Sequence, residues 1–134
     1  ARPAAFLFDL DGALLQDVPG RPPYEGVREM LAALSAAGYP LGSVTRRGEA
    51  TATAFRSFEV AITWGDGLLV AAERLGISAG DIAFIGGSPA GLAAAGAAGM
   101  LAGAALWADV APDVGADCLF ALPADVTRRF ARWC

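Results

Sequence analysis

The chain reads as an α/β domain, a three-layer α/β/α sandwich around a central, mostly parallel sheet. Three observations predict this. Short apolar runs alternate with helical-period segments from one end to the other, the order that yields right-handed crossovers and parallel strands. The first of those runs is apolar throughout, as a strand covered on both faces must be. At 134 residues and 55% hydrophobic content, the chain is long and apolar enough for one domain, residues 1–134, with a substantial core.

The elements follow in order. Ala4 to Phe8 is the first strand, and the proline- and glycine-bearing stretch Leu14–Tyr24 reads as a loop. Glu25–Ala37 carries Val27, Met30, Leu31 and Leu34 at helical spacing and stops at Gly38. Pro40–Thr45 is a second strand, Gly48–Ser57 a helix and Glu59–Thr63 a third strand. Asp66 is placed to cap a helix over Gly67–Leu75, which ends at Gly76. Asp81–Ile85 is a fourth strand, and Ser88 with Pro89 opens the next helix as N-cap and first residue. Leu101–Trp107 and Asp117–Phe120 read as later strands, and Ala124–Trp133 as a closing helix.

Composition removes several kinds of chemistry. The net charge is −4 and no basic run occurs, which argues against nucleic acid as a partner. There is no histidine, so Ser-His and Cys-His nucleophile pairs and histidine-ligated zinc are excluded. Cys118 and Cys134 form no Cys-x-x-Cys pair and are most simply reduced thiols in a cytoplasmic protein. No leader and no membrane span is read; the richest stretch, Ala90–Trp107, is broken by four glycines. Trp64, Trp107 and Trp133 are candidates for a homodimer interface as well as for the core.

The chemistry concentrates in Ala4–Gly12, AAFLFDLDG. A buried strand delivers Asp9 and Asp11 to its carboxyl edge, where open α/β sheets bind ligands. Residues i and i+2 of an extended segment point to the same side, so the two carboxylates are expected to face one site. Gly12 lets the chain turn tightly against a ligand.

FDLDGALLQ resembles the first motif of the haloacid dehalogenase-like superfamily of phosphatases, with Ala13 where Thr or Val is usual. The resemblance implies a Rossmann-like core close to that of phosphoglycolate phosphatases. It implies that Asp9 is the nucleophile that forms an aspartyl-phosphate and that Asp11 protonates the leaving group and then activates water. Such roles are chemically reasonable for two carboxylates. It further implies Mg²⁺ held by Asp9 and Asp11, and a phosphate ester as the small-molecule partner. The segments from Tyr24 to Thr45 and from Asp66 to Met100 extend the resemblance over most of the chain.

Three motifs bear on the remaining site residues. Thr45 fits the family's second motif as a phosphate contact, its alternative being a β-branched strand end. Gly12 and Arg46 join it as phosphate-binding candidates; Arg46 and Arg47 would suit a bidentate contact or, equally, a solvated turn. The third motif's Lys is absent, and the stretch Ile62-Thr63-Trp64-Gly65 is short at that point. In the fourth motif the positions of the usual acids fall on Gly87 and Gly91. Glu49, Asp66 and Asp81 are the acids that might stand in, with Asp81 at the wrong sheet edge and Asp66 more simply a helix cap. The loop from Asp11 to Tyr24 leaves no room for the helical cap domain of many relatives.

Two functional readings follow, with a third behind them. The first is a Mg²⁺-dependent phosphatase using Asp9 and Asp11. The second is a catalytically impaired binding or regulatory module on the same fold. The third is a nucleotide- or flavin-binding domain built on the Gly86–Ser88 turn, which lacks the Gly-x-Gly-x-x-Gly spacing and a Walker lysine.

Overall fold

The computed structural model describes residues 3–16, 21–46, 57–110 and 115–129. Six strands are seen: β1 (Ala5–Asp9), β2 (Leu41–Thr45), β3 (Val60–Thr63), β4 (Ile82–Gly86), β5 (Leu101–Ala105) and β6 (Cys118–Phe120). They form one sheet in the order β3-β2-β1-β4-β5-β6, and every pairing between neighbours is parallel. The helices are α1 (Val27–Ala36), α2 (Leu68–Leu75), α3 (Pro89–Ala97) and α4 (Pro123–Arg129). The expected helix Gly48–Ser57 lies almost wholly outside the described residues, as does the end of the closing helix.

Period-2 alternation sorts the strand side chains into two cores. On one face Phe6 and Phe8 pack with Val27, Met30, Leu31 and Leu34 of α1 and with Val126 of α4. On the other, Ala5 and Leu7 pack with Leu68 and Ala71 of α2 and with Leu92 and Ala95 of α3. This is the three-layer α/β/α arrangement, with β1 contributing to both cores.

Some boundaries move from the sequence reading, each for a local reason. β5 stops at Ala105, and a 3₁₀ turn covers Leu106–Ala108, because the Trp107 indole N–H turns inward to donate to the Ala13 carbonyl at 2.7 Å. Asp66 does not cap α2. Its carboxylate accepts the Thr63 backbone N–H at 2.9 Å and the Thr63 hydroxyl at 3.1 Å, closing the turn after β3, while Gly67 takes the N-cap position. Ser88 caps α3 as expected, its Oγ accepting the Gly91 N–H at 3.1 Å. Cys118 is buried and disulfide-bonded, not the reduced thiol read from spacing; separation along a sequence does not report distance once the chain folds. No helix among the described residues is long and apolar enough to cross a membrane.

Candidate active site

β1 lies between β2 and β4, where the strand order reverses, so its carboxyl end opens into the crevice that doubly wound sheets use for ligands. Asp9 is the last residue of that strand and is 1% exposed. The chain then leaves extended geometry at once. Leu10–Leu14 form a single π-helical turn, closed by the Leu15 N–H on the Leu10 carbonyl at 2.9 Å. Asp11 therefore sits in a turn, and the i, i+2 strand rule does not apply to the pair. The π turn, not strand alternation, brings the two acids close enough for the charge of Asp11 to act on Asp9.

The end of β2 meets Asp11. Thr45 donates its hydroxyl to Asp11 Oδ2 at 2.8 Å, and the Arg46 backbone N–H donates to the same oxygen at 2.7 Å. Thr45, assigned from the sequence to phosphate, is thus a buried partner of Asp11. Gly12 contributes through its backbone, whose N–H donates to the Asp9 carboxylate. A β-carbon on Gly12 would stand 2.8 Å from Asp9 Oδ2, so a larger residue there would displace the carboxylate. The Arg46 side chain reaches the same cavity as Asp9, while Arg47 and Glu49 lie outside the described residues.

Burial pushes the Asp9 carboxyl up from 3.8 to about 6, and the Asp11 charge adds to the rise. The Arg46 charge, the Gly12 N–H and the Trp64 side chain each pull it back down. Even so, Asp9 Oδ1 is buried without a hydrogen-bond partner among the described residues. A carboxylate oxygen left in that condition is costly unless a ligand or a proton meets it.

Asp9 forms one wall of a cavity of about 330 Å³, shared with Arg46, Trp64, Ser88, Ala90, Gly91 and Ala94. Trp64 is the residue that sequence reasoning missed. It follows β3 directly, its ring packs edge-on against Phe84 with centroids 5.9 Å apart, and its side chain donates to Asp9. The available signal was its place at the carboxyl edge of β3, in the turn that leads into α2.

The haloacid dehalogenase-like hydrolase family matches residues 19–99, more than half of the chain. The chain belongs to this family. Solved structures agree on the fold. A protein from Lactobacillus plantarum inferred to be a phosphoglycolate phosphatase superposes with a TM-score of 0.79 at 17% identity, over 96% of this chain and 99% of its own. A haloacid dehalogenase-like family hydrolase from Streptococcus pneumoniae gives 0.80 at 16%, over 96% and 98%. A superfamily hydrolase from Ehrlichia chaffeensis gives 0.76 at 14%, over 97% of each chain. At such identities the likeness is one of fold. A comparison with curated proteins returned no match.

Hydrolases of the haloacid dehalogenase-like family generally use Mg²⁺. Among the described residues, the donor set of this member does not fit a resident Mg²⁺ ion. No group of three or more ligating side chains comes together there. Of the two acids present, Asp11 has one oxygen accepting both the Thr45 hydroxyl and the Arg46 amide. Gly87 cannot be read as an acid that has merely lost its side chain, since a β-carbon there would fall on the Gly12 carbonyl. The two backbones have closed on the space a carboxylate would need. Gly91 lies against Trp64, whose ring atoms would be 3.4 and 3.5 Å from a β-carbon at that position. Mg²⁺ keeps near-octahedral oxygen coordination, and two carboxylate side chains with no third ligating side chain among the described residues are a poor start toward it.

Proposed function

We propose that the chain hydrolyses phosphate monoesters at Asp9, slowly, through an aspartyl-phosphate. The observation that carries this reading is Asp9 Oδ1, buried and without a hydrogen-bond partner among the described residues, in the wall of a cavity shared with Arg46, whose charge acts on Asp9. In the first step the Asp9 carboxylate attacks phosphorus and the ester P–O bond breaks, the leaving oxygen taking a proton from the Asp11 carboxyl. In the second, water attacks the phosphorus of the acyl phosphate, Asp11 takes its proton, and Asp9 is released with inorganic phosphate. Arg46 supports the charge on the transferring group. The rate is expected to be low. Removing one preorganised charge-stabilising group costs about 10²–10³ in rate, and this site offers Arg46 in place of a metal and a lysine.

A second reading, a phosphate-ester binding module without turnover, is favoured by one specific observation. Trp64 and the Gly87–Gly12 backbone contact occupy the ground where cationic and metal-binding groups would act.

The test is hydrolysis of a generic aryl phosphate, with and without millimolar Mg²⁺, beside Asp9→Asn. Turnover that the variant abolishes, and that Mg²⁺ changes by less than about tenfold, is the expected result. Strong Mg²⁺ dependence would bring in a ligand from outside the described residues, with Glu49 the first to replace. Equal rates in both proteins would end the phosphatase reading and leave the binding module.

A further inference from the structure

We propose that this site takes phosphate monoesters of planar aromatic alcohols, with the phosphoryl group at Asp9 and Arg46 and the ring against Trp64. The inference rests on the phosphate-monoester reading above and adds what the organic half of the ester must be.

The cavity is chemically divided. Asp9 and Arg46 supply charge, whereas Trp64, Ala90, Gly91 and Ala94 present apolar surface. Its volume of about 330 Å³ is at the small end of organic-ligand sites, enough for a compact ring. The Trp64 ring is held before any ligand arrives. Phe84 meets it edge-on at 5.9 Å, Gly91 lies beside its six-membered ring, and its side chain is tied to Asp9. A fixed aromatic surface favours stacking at little further entropic cost. Gly91 and Ala90 keep the facing wall of α3 flat, where larger side chains would fill the slot.

The experiment compares benzylphosphonate with methylphosphonate, two non-hydrolysable probes, by titration calorimetry on the wild type, Trp64→Phe and Trp64→Ala. The wild type is expected to bind benzylphosphonate at least about tenfold more tightly, Trp64→Phe to keep most of that ratio, and Trp64→Ala to bring it within about threefold. Ala94→Leu, which narrows the slot without touching Asp9, is expected to weaken benzylphosphonate alone and serves if Trp64→Ala does not fold. Equal affinities in the wild type, no binding of either probe, or an undiminished ratio in Trp64→Ala and Ala94→Leu would overturn the proposal. Selective binding without turnover of phenyl phosphate would remove the phosphatase reading and leave the aromatic site standing. Equal turnover of phenyl and glycerol phosphates, with no binding preference, would do the reverse.

Discussion

A carboxylate buried at the end of a strand resists ionisation, and at Asp9 that resistance has consequences for both stability and rate. Burial, then the Asp11 charge, raise its pKa to about 6. An unfolded Asp titrates near 3.9, about two units lower. The folded chain thus holds this proton more tightly than the unfolded chain does. The stability so gained is fully present below about pH 4 and is lost as the pH rises through 6, amounting to about 3 kcal/mol at neutral pH. Asp9→Asn removes the titration, so the variant should exceed the wild type by about 1–3 kcal/mol at pH 7.5 and match it near pH 4. Urea unfolding at the two pH values checks this; a wild type equal to the variant at pH 7.5 would show that Asp9 is better solvated than its surroundings suggest. The same proton governs attack on phosphorus. If the ionised carboxylate is the nucleophile, kcat/KM should fall about tenfold per pH unit below 6, and a flat profile from pH 5 to 7 would point to another nucleophile.

At the scale of elements, the turn from β4 into α3 decides what the site can become. A β-carbon at Gly87 would lie on the Gly12 carbonyl, whereas one at Gly91 would meet Ser88 Oγ at 3.2 Å and the Trp64 ring at 3.4 Å. Gly87→Ala must push two backbone segments apart and should cost about 3 kcal/mol or more, at the upper end for overpacking. Gly91→Ala meets a hydroxyl and an aromatic edge that yield, and it gains helix propensity, so its change should stay within about 1 kcal/mol. Thermal denaturation of the pair separates them; equal midpoints would mean that the β4–α3 turn moves away from Gly12 easily. These elements also show what was legible in the sequence. Every strand in the described residues was found within two residues of its ends because apolar runs flanked by glycine report burial directly. That Asp9, Gly12 and Arg46 lie together was legible because a carboxyl strand edge is a place with a chemical meaning. Illegible were the features set by tertiary contact: the π turn that carries Asp11, the engagement of Thr45 by that acid, the Asp66–Thr63 closure and the inward turn of Trp107. Trp64 was read as a gap where a lysine should be, since an indole donor has no motif of its own.

For the whole molecule, the decisive fact is that two cores share one sheet. β4 shows it within a single strand. Ile82 belongs to the core covered by α2 and α3, Ile85 to the core covered by α1 and α4, and both are fully buried. β1 divides in the same way, with Leu7 on one side and Phe8 on the other. Neither helical layer can be lost without uncovering strands that the other layer still needs, because each strand is a partner of both. The domain should therefore unfold as one unit. Ile82→Val and Ile85→Val each delete one methylene from a different core and should each cost about 0.5–1.5 kcal/mol. The two side chains share no hydrophobic cluster, so the double variant should lose the sum within about 0.5 kcal/mol. Urea unfolding followed by far-ultraviolet dichroism and by tryptophan fluorescence gives the check. Coincident transitions, shifted together by either substitution, are the expected outcome. Two separated transitions, one moved by Ile82→Val and the other by Ile85→Val, would mean that the layers unfold independently and that the sheet does not couple them.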